Sequence, residues 1–129
     1  MIALDTHAWI WWNDDPSLLS RNARNAIESA DRIGVSVISC FEVARLADEG
    51  RITLAMDTRA WISLGLADRR TELIGLSPEA AVTAALLDRR RFPGDPADRL
   101  IFASALTASA RLATKDRQLR AFDATATIW

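Results

Sequence analysis

The chain has 129 residues, half of them apolar and about a quarter charged, which suits one sizeable core and excludes a disordered chain. No apolar run approaches the ~18 residues of a membrane span. The opening Met1-Ile2-Ala3-Leu4-Asp5 meets a carboxylate too early for a signal peptide, and the lone Cys40 has no partner for a disulfide, so a reducing cytoplasm is the expected location. With 16 basic against 17 acidic residues, the net charge of −1 excludes a general polyanion binder.

The elements follow in chain order. Met1–Leu4 reads as a short buried strand ending at Asp5, and His7 to about Asn13 as a tryptophan-rich helical turn or two. Ser20 caps a helix whose apolar face is Ala23, Ala26, Ile27 and Ala30. Ile33–Val37 is the next strand. Ser39 then opens a helix with Val43, Leu46 and Ala47 on one face and Gly50 as its stop. Asp57–Ala67 predicts a helix around Trp61, and Thr71–Leu76 a strand. Ser77-Pro78 and Asp95-Pro96 are both a cap followed by proline at the first helical position. The first opens a helix to Leu87, the second a largely apolar helix to Ala110. Arg111–Thr114 is a strand, Asp116–Phe122 a short helix and Thr125–Trp129 a last strand. Strands alternating with helices predict an α/β fold with a mainly parallel sheet and a single domain over 1–129.

In such folds sites form where the chain leaves the carboxyl ends of strands. Asp5 ends the first strand, Glu42 is placed in the first turn of the helix after the second, and Asp116 follows the fourth. Asp98 lies in the first turn of the helix opened by Asp95. Each acid also has a plain structural reading. Ser39-Cys40-Phe41-Glu42 fits a capping box, and Asp5, Asp95 and Asp116 fit N-caps. Jointly they say more. Four carboxylates about 5 Å apart at an effective dielectric near 20 repel by roughly 3 kcal/mol per pair. Either some are protonated or a divalent cation sits among them. Oxygen donors without His or Cys favour Mg²⁺ or Mn²⁺ over zinc, the layout of a metal-dependent phosphodiester hydrolase.

Leu4-Asp5-Thr6-His7, Ser39-Cys40-Phe41-Glu42-Val43-Ala44, Gly94-Asp95-Pro96-Ala97-Asp98-Arg99-Leu100-Ile101 and Thr114-Lys115-Asp116 resemble, in order and spacing, the motifs of the PIN domain. The whole chain resembles the small VapC-type toxins of bacterial toxin–antitoxin pairs. The resemblance implies a three-layer fold with a parallel sheet of order 3-2-1-4-5. It also implies a magnesium-dependent endoribonuclease, a homodimer, and inhibition by a cognate antitoxin. By position, Asp5, Glu42, Asp98 and Asp116 match the acidic quartet, with Asp5 and Asp98 as the direct metal ligands. Thr6 and Thr114 match hydroxyls beside the acids. Pro93 stands where many relatives have His before the Gly-Asp-Pro stretch. The implied role of Glu42 or Asp116 is to orient the attacking water or take its proton.

Other residues keep two readings. Asp95 is read as the cap that frees Asp98, with metal binding through water as the alternative. His7 is read as structural rather than as a general base. Arg99 either clamps phosphate or orients an acid through a salt bridge. Arg89-Arg90-Arg91 is placed at a helix end, where cations complement the dipole. Fifteen of the 16 basic residues are arginine, which serves phosphate binding or a codon bias equally well. Cys40 reads as a small hydrophobe. Trp9, Trp11 and Trp12 form either a local core or, in part, an interface for an antitoxin helix. The rival functions are a nuclease of the same chemistry acting on DNA, a phosphoacceptor receiver domain, and a non-catalytic binding domain in which every acid is a cap. A receiver needs paired acids after the first strand, where this chain has one.

Overall fold

A computed structural model describes residues 1–129. In chain order the elements are β1 (Ile2–Leu4), α1 (Thr6–Asp14), a 3-10 turn (Pro16–Leu18), α2 (Arg21–Ser29), β2 (Ile33–Ser36), α3 (Val37–Asp48), α4 (Thr58–Gly65), β3 (Thr71–Ile74), α5 (Pro78–Leu86), α6 (Pro96–Thr107), β4 (Arg111–Ala113), α7 (Arg117–Phe122) and β5 (Thr127–Ile128). The five strands form one parallel sheet of order β3-β2-β1-β4-β5, as the family resemblance implied.

The pleat explains the layering. Ile2, Leu4, Ile33, Val35 and Ala113 face one side and join Trp9 of α1, Ile27 of α2, Val43 of α3 and Trp61 of α4. Ala3 and Leu112 face the other side, with Phe92 of the loop before α6, Ile101 and Phe102 of α6 and Leu119 of α7. The central strand β1 is buried on both faces. Each fully buried large side chain of these cores stabilises the fold by about 2 kcal/mol. Trp9 and Trp61 meet edge to face at 4.9 Å. Their indole N–H groups donate to the Gly65 carbonyl at 3.2 Å and to Asp14 at 2.9 Å. A Cβ on Gly65 would stand 3.0 Å from the Trp9 ring, so glycine lets α4 approach α1 this closely.

The caps read from sequence at Ser20, Ser77 and Asp95 each accept a first-turn backbone N–H, and Asp57 caps α4 in the same way. Three expectations fail. Ser36, not Ser39, caps α3: its hydroxyl accepts the Ile38 N–H at 3.2 Å, and the helix begins at Val37. Ser39-x-x-Glu42 is therefore no capping box, and Glu42 lies in the second turn, on the buried face of α3. Secondly, Arg89-Arg90-Arg91 does not end a helix, because α5 stops at Leu86 and the three residues lie in the following loop. The cause is Arg99. Its buried guanidinium donates to the carbonyls of Ala84 (3.0 Å) and Leu87 (2.6 Å), acceptors at the end of α5, and of Phe92 (2.9 Å) in the following loop. Arg99 is thus neither a phosphate clamp nor an ion-pair partner of an acid.

Candidate metal centre

All strands are parallel, so their carboxyl ends share one edge of the sheet, and the chain enters α1, α3 and α7 there. Asp5 caps α1, accepting the Thr6 N–H, and its other oxygen accepts the Thr114 hydroxyl at 2.6 Å from the end of β4. Asp116 caps α7, accepting the N–H groups of Gln118 at 2.8 Å and Leu119 at 3.1 Å. Asp95 caps α6 through the Asp98 N–H at 3.0 Å. Glu42 is buried, accepts the Thr6 hydroxyl at 2.7 Å, and has Ser39 beside that hydroxyl at 3.1 Å. Threonines 6 and 114 thus hold one carboxylate oxygen each of Glu42 and Asp5.

Glu42, Asp95 and Asp98 each offer a carboxylate oxygen, all within 4.8 Å of one another. Asp5 and Asp116 lie outside that tight group but within its field. The Asp98 carboxyl is pushed up to about 7, first by burial and then by Asp95, Asp5, Glu42 and Asp116. Asp5 is raised mainly by burial, against the Thr114 hydrogen bond and nearby His7. Glu42 is raised by burial, with Asp5 and Asp95 adding to it and Thr6 and Arg45 opposing.

The sequence-read quartet therefore converges, and Asp95 joins it. The spacing of Asp95 and Asp98 carried that signal, since residues three apart share a helix face. Capping and clustering are compatible: Asp95 closes the N-terminus of α6 and still offers a carboxylate oxygen to the group it forms with Glu42 and Asp98. One cation answers five carboxylates. Arg45 reaches Glu42 at 3.7 Å, and Asp5, Asp95, Asp98 and Asp116 have no ion pair. Arg45, three residues past Glu42 on α3, went unread in the sequence. His7 is exposed, its ring 5.6 Å from that of Trp11. An uncompensated set of oxygen donors without His or Cys ligands fits a hard divalent ion.

A family model described as the PIN domain matches residues 2–125. The chain is 46% identical over 119 residues to "Ribonuclease VapC22" of Mycobacterium tuberculosis (strain ATCC 25618 / H37Rv), covering 92% of this chain and 89% of that protein. Two solved structures resemble it in fold. A toxin–antitoxin complex from Klebsiella pneumoniae matches with TM-score 0.69 at 20% identity, covering 100% of this chain and 97% of that one. VapBC2 from Rickettsia felis, bound to a promoter DNA fragment, matches with TM-score 0.70 at 18% identity, covering 99% and 98%. With the parallel sheet, the converging acids and the family model all in agreement along almost the entire length, the chain belongs to the PIN-domain family.

Proposed function

We propose that this protein is a magnesium-dependent endoribonuclease, the toxin of a toxin–antitoxin pair, with Mn²⁺ as a substitute ion. The observation that carries the reading is the five-acid cluster with a single opposing cation. The ribonuclease named among its relatives and the toxin–antitoxin complexes among its structural neighbours support it. RNA is the substrate, an antitoxin the inhibitory partner and a homodimer the assembled state, in the cytoplasm, with residues 1–129 acting as one nuclease domain.

Asp5 and Asp98 would hold the ion, with Asp95 and Glu42 as further oxygen donors. A divalent ion bound there would supply Lewis-acid stabilisation to the scissile phosphate and ease deprotonation of the attacking water. Thr114 and Thr6 fix the rotamers of Asp5 and Glu42, so neither carboxylate must be ordered when substrate arrives. Glu42 or Asp116 orients the attacking water or takes its proton. Asp116 is suited to the orienting role, because one of its oxygens is tied to the α7 backbone and the other is left over. Cleavage of RNA by the purified protein tests this. Mg²⁺ should support cleavage, EDTA should abolish it, and Asp98→Asn should lower kcat by about 100-fold or more. Cleavage that persists in EDTA, or in a folded Asp98→Asn protein, overturns the reading.

A further inference from the structure

Four of the five tryptophans divide into two kinds. Trp9 and Trp61 are buried and their indole N–H groups have protein acceptors. Trp11 and Trp129 are only partly buried, and neither indole N–H finds an acceptor in the protein. Their rings meet at 5.9 Å. Trp11 also touches the exposed His7 ring at 5.6 Å, and His7 lies two residues past Asp5. Lys115, the only lysine, sits between Thr114 and Asp116 of the acid cluster and places its ammonium 5.4 Å from the Trp11 ring centroid. A strip of π faces under one cation therefore runs outward from the acids.

The strip continues into a groove of about 620 Å³ between α2 and the β5 edge, lined by Trp129 and Ile128. In a chain of net charge −1, this groove contains no acid. Its polar lining includes Arg111, Arg120, Asn22 and Asn25. Arg120 makes no ion pair, and Arg111 spends one N–H group on the Thr127 carbonyl at 2.6 Å. The free guanidinium of Arg120, the remaining N–H groups of Arg111 and the two amides match phosphate and ribose oxygens, and π faces beside them match unstacked bases. Duplex RNA hides its base faces, so the combination selects a single strand.

We propose that the His7–Trp11–Trp129 strip and the Arg111–Arg120 groove form a track that binds the single-stranded RNA flanking the cleaved phosphate. The proposal rests on the endoribonuclease reading for what happens at the acids, but binding along the track is separable from cleavage. The test uses fluorescence anisotropy with a labelled oligouridylate of roughly 12 nucleotides and one of roughly 4, in EDTA so that no strand is cut. Trp129→Ala should weaken the longer strand about 10-fold, with Trp129→Phe restoring most of the affinity. Arg120→Gln should reduce the salt dependence of binding by about one ion per molecule. The shorter strand, too short to span both acids and groove, should respond less. Arg120 has no internal polar partner, so Arg120→Gln keeps the test meaningful if Trp129→Ala unfolds.

Unchanged affinity and salt dependence in both variants overturn the track. So does loss of antitoxin affinity with RNA affinity intact, which makes the strip a protein contact. Strands bound through the track but never cut in Mg²⁺ leave the track standing and overturn the endoribonuclease reading instead. Cleavage with an unchanged KM for long RNA in Arg120→Gln overturns the track alone.

Discussion

Arg99 directly follows Asp98, yet its guanidinium turns away from the acids into the protein. Its role was not legible in sequence, because the carbonyls it serves lie 7 to 15 residues earlier and come together only when α5 packs on α6. Replacing it with methionine keeps much of the volume but leaves those carbonyls without a donor, at a cost of about 3 kcal/mol. Thermal denaturation of Arg99→Met should show a melting temperature lower by roughly 10 °C. An unchanged melting temperature would mean that the end of α5 needs no such donor. The acids were legible for the opposite reason: each sits within a few residues of a strand end or a cap, and the parallel sheet does the rest.

At the scale of elements, the caps at Ser20, Ser77 and Asp95 were readable because capping is local chemistry. The start of α3 was not. Val37 and Ile38 are β-branched and extend a strand pattern, so Ser36 and Ser39 compete as caps on sequence grounds. Tertiary structure decides, since Ser39 is fully buried beside Thr6 and Glu42 and is needed there. Helix α6 poses a related question, because Asp95 both caps it and stands in the acid cluster. Asn caps as well as Asp does, so Asp95→Asn should leave the stability of the metal-free protein unchanged or slightly raised. The same substitution should weaken Mg²⁺ binding several-fold by calorimetry. Equal affinity in the two proteins would confine Asp95 to capping.

Across the whole molecule, the alternation of strands and helices announced a parallel α/β sheet, while the strand order came from the family resemblance rather than from any residue pattern. What the fold achieves is to bring carboxylates from positions 5, 42, 95, 98 and 116 to one edge, although each alone is an ordinary cap or helix residue. That convergence has a pH signature. The Asp98 carboxyl is raised to about 7 from its ordinary 3.8, so between those values the folded protein holds a proton that the unfolded chain has lost. Its contribution to stability is present at low pH and is lost as pH rises toward 7. A divalent ion reverses this, because it binds the ionised carboxylates and must displace that proton at lower pH. The most direct test is the melting temperature with and without Mg²⁺ or Mn²⁺, at pH 5 and pH 8, for the native chain and Asp98→Asn. We expect a saturable rise with metal, larger at pH 8 than at pH 5 and much reduced in Asp98→Asn. No metal-dependent rise at pH 8, or an equal rise in the variant, would contradict the metal centre.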